Sequence, residues 1–210
     1  MDARTKSAEG HDYSRHDERA ERRRADWTNR PLCCRYLFAQ FKYLRLHVRS
    51  GDAVQHADWY WALGLFVPDK LEVLGAWPIE VAARQIAEDL HDRGIERIGV
   101  VSAGCPIDLT SRFPEAITWQ LADGPLALAP RQRLELRSAI DAAKQLQKSI
   151  EGSIKRRSPF PDKAAATSFL TLALEKANRR LLNGPKNRCL ENPRPAIEVS
   201  SRLVAASHRN

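Results

Sequence analysis

The sequence predicts an α/β domain in which three strands are followed by a helix, a fourth strand and further helices. Three observations carry this. Phe41 to Val48 alternates, with Leu44, Leu46 and Val48 on one face and Arg45, His47 and Arg49 bracketing the other, which is the period of a half-buried strand. From Pro78 the period changes: Ile79, Ala82, Ala83, Ile86 and Leu90 share one helical face, and Gly94 closes it. The short apolar run Ile98–Val101 then follows directly, so strand, helix and strand form a parallel crossover.

Each element has its own warrant. Residues 1–26 set Arg19, Arg22, Arg23 and Arg24 against Asp17, Glu18, Glu21 and Asp26 without an apolar face, and are expected to be a charged, irregular arm. After the first strand, Asp58–Val67 is aromatic and apolar, and Leu71–Trp77 pairs with it through the turn chemistry of Pro68–Asp69–Lys70. Pro78 suits a first helical turn, where its missing N–H is not needed. The second half is helical. Leu136, Ala139, Ala143, Leu146, Ile150 and Ile154 recur at intervals of three and four within Arg131–Arg157. Asp162 reads as the N-cap of a last helix whose face is Ala166, Phe169, Leu170, Ala173, Ala177 and Leu181, closed by Asn183–Gly184. The ordered domain is expected over residues 27–182, and 183–210, with Pro185, Pro193 and Pro195, as an irregular tail.

Composition bounds the function. The 210 residues are 43% hydrophobic, which suffices for one core and is too apolar for wholesale disorder. The charge-free runs Trp59–Pro68 and Ile98–Ile107 are about half the length of a membrane span, so no membrane partner is expected. No apolar leader follows Met1. Cys33, Cys34, Cys105 and Cys189 form no disulfide framework or zinc-type pair, which fits reduced thiols and a cytoplasmic setting. The six histidines lack ligand spacing. The net charge of +8 turns attention to anionic partners.

A three-stranded meander followed by α-β and helices is the order of a ribonuclease H-like core. Several collinear stretches are more specific. They are Trp27-x-x-Arg30–Pro31–Leu32-x-x-x-Tyr36, Leu44-x-x-x-Val48–Arg49, Gly64 six residues before Lys70, and Leu71–Glu72–Val73–Leu74–Gly75–Ala76–Trp77. They continue with Asp92–Arg93–Gly94–Ile95–Glu96–Arg97–Ile98, Phe113–Pro114–Glu115–Ala116–Ile117 and Arg157-x-x-Phe160–Pro161–Asp162-x-Ala164–Ala165. Together they resemble the mutator-type bacterial insertion-sequence transposases over most of residues 27–182. The resemblance implies DNA transposition, with strand transfer carried by three carboxylates and two Mg²⁺ or Mn²⁺ ions about 4 Å apart. It also implies DNA as partner, with a second copy of the chain or an intact transposase as further partners.

The chain departs from that pattern at the acids. Ungapped from Trp27 to Arg49, the first acidic position is Lys42, which has the parity of Leu44 and Leu46 and whose ammonium repels a cation. For the second acid, counting back from Phe113 gives Asp108, whereas counting forward from Ile98–Val101 gives Ser102 or Ala103. For the third, the spacing from Phe160 lands on Lys144, and a three-residue shift aligns Ser138–Ala139–Ile140–Asp141 with the family's Asn-Ala-Ile-Glu. Asp108 and Asp141 are therefore the candidate catalytic and metal-binding residues. A turn Asp and a solvated helix Asp are the plainer readings of both. Asp52 and Asp58 are the nearest replacements for the lost first acid. Between Ile117 and Arg131 only a loop is expected, so the helical insertion of longer relatives is missing, and nothing before Trp27 has the length of a DNA-binding domain.

Arg131–Arg157 holds eight Lys or Arg against three acids, most of the chain's excess charge. Arg137, Lys144, Lys148, Lys155, Arg156 and Arg157 are the candidate DNA-binding residues, because a basic helical stripe follows a phosphate backbone. The last three also suit a helix C-terminus without any ligand. Three functions compete: a transposase impaired by Lys42, a non-catalytic remnant that binds DNA or an intact transposase, and a product without function.

Overall fold

β1 (Arg35–Ser50), β2 (Ala53–Val67) and β3 (Lys70–Pro78) form an antiparallel meander in the computed structural model, which describes residues 26–67, 70–103, 107–120, 126 and 128–183. The expected arm and tail, and Pro68–Asp69 of the second turn, lie outside these residues apart from Asp26 and Asn183. α1 (Ala83–Asp92) leads to β4 (Arg97–Ala103), which pairs parallel with β1. β5 (Ile117–Trp119) follows, then α2 (Pro130–Arg157) and α3 (Lys163–Asn183). The sheet runs β3-β2-β1-β4-β5, an open mixed sheet in an α/β domain. Among the described residues no helix is long and apolar enough to cross a membrane.

The alternation of β1 distributes the layers. Ala39 and Phe41 pack with Ile86, Ala87 and Leu90 of α1. Leu44, Leu46 and Val48 pack with Ala143, Ile150 and Ile154 of α2 and with Ala166, Leu170 and Leu174 of α3. Neighbouring strand residues point to opposite faces, so α1 covers one side of the sheet and α2 with α3 the other.

Several expectations need correction. Pro78 does not open the helix. It closes β3 opposite Trp59, on an edge strand where a missing N–H is tolerated. α1 starts five residues later, and Ile79 is 43% exposed instead of lining the buried helical face. The segment after Ile117 is also more than a loop, because Ile117–Trp119 pairs with Val100–Ser102 as a fifth strand. Three residues are too few to show a period. β1 and β2 also begin earlier than expected, at Arg35 and Ala53 instead of Phe41 and Asp58. Two helix boundaries follow the pattern: Gly94, at φ 103°, ends the turn after α1, and Asp162 Oδ1 accepts the Ala165 N–H at 2.6 Å as N-cap of α3.

The segment before β1 is tied down by a buried polar cluster. Arg30 lies 4.6 Å over the Trp27 ring and donates to the Val73 carbonyl. Its guanidinium is 3.8 Å from Glu72, and Glu72 accepts the Tyr36 hydroxyl. Burial and the Glu72 charge push the Tyr36 phenol well above its ordinary range. Gly64 makes room for this ring, since a Cβ there would stand 2.6 Å from Tyr36 ring carbons. Four residues of the sequence pattern thus meet in space: Arg30, Tyr36, Gly64 and Glu72.

β3 is a sheet edge, and side chains occupy the main-chain groups of Val73. Arg30 takes the carbonyl, and the N–H donates to Asn178 Oδ1 of α3 at 2.7 Å. Asn178 is buried in the middle of a helix. Replacing it with Ala leaves the Val73 N–H buried without a partner. Asn178→Ala is expected to lower the unfolding free energy by about 1–3 kcal/mol in urea denaturation, and a change near zero would remove this contact from the account.

Candidate nucleic-acid interface

The candidate site forms where β1 outruns β4. Their pairing ends at Phe41 opposite Ala103, whereas β1 continues to Ser50. Among the described residues, two things meet this edge beyond Phe41. Gln147 of α2 donates from Nε2 to the Tyr43 carbonyl at 2.9 Å. Further along, Phe160 donates its N–H to the His47 carbonyl and accepts the Arg49 N–H, both at 2.8 Å. Between these contacts lies a cavity of about 590 Å³ lined by Lys42, Tyr43, Arg45, His47, Gln147, Glu151, Ile154 and Lys155.

Gln147 sets the geometry. Its Oε1 accepts the Trp61 indole N–H at 2.6 Å, and its Nε2 also donates to Glu151 at 2.6 Å. One amide therefore joins α2 to β1 and β2 and holds the only carboxylate of the cavity lining in place. Four cationic or imidazole side chains share the lining with that carboxylate: Lys42, Arg45, His47 and Lys155. Arg45 gives Nε and Nη2 to Asp58 at 2.9 and 3.0 Å, and the His47 ring sits 4.7 Å from His56 across the strand pair. The Lys42 ammonium is held below its ordinary value, by burial first and by the Lys144 charge second, with Glu151 opposing.

The sequence candidates fall into separate places. Lys42 and Lys144, the two unshifted positions for the first and third acids, are electrostatic neighbours across β1 and α2. Asp141 lies on the exposed side of α2, 3.5 Å from Lys144. Asp108 lies in a loop whose flanking Ile107 and Leu109 are buried in the α1-side core. Its carboxylate takes the Thr110 hydroxyl at 2.6 Å and the Thr110 N–H at 2.9 Å, and these bonds hold it below the usual carboxylate range. This is the turn-capping geometry of an Asp two residues before its donor. Asp52 occupies the β1–β2 turn, and Asp58 is engaged by Arg45. Arg137, Lys144, Lys148, Lys155, Arg156 and Arg157 are all exposed on α2. Arg157 lies 5.5 Å over the Phe169 ring, and Arg156 donates to Ser153 at 3.1 Å.

Sequence reasoning missed Gln40, Gln147 and Glu151. Gln40 stands two residues before Lys42, opposite Ser102 of β4, and its Oε1 is buried without a partner among the described residues. Only the strand pairing reveals that neighbourhood. Gln147 and Glu151 at i, i+4 read as a solvated helix pair until the β1 edge is set beside them.

Divalent cations of this size take oxygen ligands, chiefly carboxylates. The donor set beside β1 does not fit one, with two lysines and a single carboxylate already bonded to an amide. Among the described residues no three His, Cys, Asp or Glu side chains group to hold a metal ion. No family model matches this chain, and no curated protein matches it.

Lys42 carries a pH consequence. A lysine whose folded pKa is lowered costs stability while charged. That cost is full at neutral pH and disappears as the pH rises through the folded value toward the ordinary 10.5. Lys42→Met is expected to raise the melting temperature at pH 7, with the gain shrinking as the pH rises toward 10.5 in thermal denaturation. An unchanged or lower melting temperature at pH 7 would contradict the cost.

Proposed function

We propose that this chain is a transposase-family protein of the mutator type, with a ribonuclease H-like core. It binds DNA through α2, and its strand-transfer chemistry is impaired. The strand order β3-β2-β1-β4-β5, with β4 parallel to β1, supports the core assignment. The convergence of Arg30, Tyr36, Gly64 and Glu72 on one buried cluster supports the resemblance that their spacing suggested.

The observation that carries DNA binding is continuity of charge. Arg137, Lys144, Lys148 and Lys155 follow one another at intervals of 7, 4 and 7 along α2, so they share a face, and Lys155 also lines the cavity beside β1. A phosphate backbone laid along this stripe meets cations over most of the 28-residue helix. The lysine pair Lys42 and Lys144 favours the non-catalytic form of this reading, in which the protein occupies DNA, or pairs with an intact transposase on it, without cutting.

Fluorescence anisotropy with duplex DNA across a salt series tests this. The wild-type chain is expected to bind with a steep salt dependence. Replacing Lys155, Arg156 and Arg157 together by Ala is expected to reduce the slope of log K against log salt by about three units at most. An unchanged slope overturns the role of α2. Strand cleavage in millimolar Mg²⁺ that is lost in Asp108→Asn would overturn the impairment.

A further inference from the structure

The stripe on α2 lies on one side of the sheet, and the end of the β1–β2 hairpin has a second face. Leu46 and Val48 pack with α2 and α3, so His47 between them points to the other face, away from Lys42. His56 stands directly opposite His47 in the β1–β2 register, and their rings meet edge to face with centroids 4.7 Å apart. His56 is exposed and His47 half-buried. The sequence hides this pair, because a turn separates the two residues and no helical spacing links them.

The geometry suits a two-point chelate. Directly opposite residues of an antiparallel pair hold their Cβ atoms about 4.5–5.5 Å apart. A ligating nitrogen about 2.0–2.1 Å from an ion places its ring centroid roughly 3.2 Å from it, so two rings sharing one ion at about 90–110° stand roughly 4.5–5.2 Å apart. The observed 4.7 Å lies inside this range. Turning a ring about its Cβ–Cγ bond changes which nitrogen faces the gap and leaves the centroid nearly in place, and that torsion is soft. The charges beside the pair are nearly balanced. Arg45 gives both Nε and Nη2 to Asp58, and Arg49, opposite Val54, adds an exposed cation that opposes a metal ion but is screened at the surface.

We propose that His47 and His56 together chelate one divalent ion of the imidazole-binding class, Ni²⁺, Cu²⁺ or Zn²⁺, across the strand pair, with water in the remaining positions. The site has two protein ligands, so it does not count among groups of three donors, of which the described residues hold none. It is separate from the carboxylate chemistry that the donors beside Lys42 do not fit, because Mg²⁺ takes oxygen and these ions take nitrogen. It is also independent of the DNA reading.

The test titrates Ni²⁺ alone into the full chain by calorimetry, after EDTA treatment and dialysis. Saturable binding is expected in the wild type, together with a rise in melting temperature, since the ion binds the paired strands and not the unfolded chain. His47→Gln and His56→Gln are each expected to weaken binding at least about tenfold, and the double variant to be little worse than either, because a chelate is lost with its first ligand. Arg45→Met removes a cation and releases the Asp58 carboxylate, and is expected to tighten binding at least about threefold, a gain that a misfolded variant does not produce. Equal affinity in the wild type and both single variants overturns the site. A loss confined to one of the two histidines overturns the chelate, and so does a loss that follows His11→Gln with His16→Gln instead.

Discussion

The mismatch in length between β1 and β4 shapes most of what is distinctive in this molecule. β1 has 16 residues and β4 has seven, so among the described residues the central strand loses one neighbour halfway along. A bare edge there would expose main-chain groups. The side chain of Gln147 and the backbone of Phe160 answer this at two separate points, leaving a gap between them. That gap is the cavity. Its lining is therefore set by strand parity and by the register of α2, and not by a loop that might adopt many shapes. The same strand sends Leu44 and Leu46 into the core, so the position of Lys42 is as fixed as theirs.

Electrostatics gives this place a sign. A site built for divalent cations gathers carboxylates, which repel one another until the ion arrives. Here burial first, and the nearby Lys144 charge second, hold the Lys42 ammonium below its ordinary value. The fold itself is held elsewhere, by the apolar faces of β1 and the Arg30–Glu72–Tyr36 cluster, so it does not depend on the side chains gathered here.

Much of this was legible from the sequence, for physical reasons that differ by element. The second half of β1 alternates because one face meets α2 and α3 while the other meets water. Its first half, Arg35–Phe41, is flanked by β2 and β4 and loses that rhythm, so the strand reads shorter than it is. α2 and α3 announce themselves by period, yet Asn178 is invisible there, since an amide in mid-helix has no meaning until an edge strand lies beside it. At the site, parity placed Lys42 on the helix-covered face, and the unshifted count named Lys144 as its counterpart. Gln40, Gln147 and Glu151 stayed hidden, because their significance lies in strand pairing and in contacts across roughly a hundred residues.

The Asn178 contact has a consequence for how the chain is made. Val73 and its partner are separated by 105 positions. At a synthesis rate of about 5–20 residues per second, the meander emerges roughly 5–20 s before the side chain that seals its edge. Over that interval the apolar faces of Trp59, Trp61, Leu63 and Val73 also await α3. Nascent chains on one messenger would carry matching unsealed ribbons side by side, so the spacing of ribosomes, and not only the sequence, bears on how much of this protein reaches its native state.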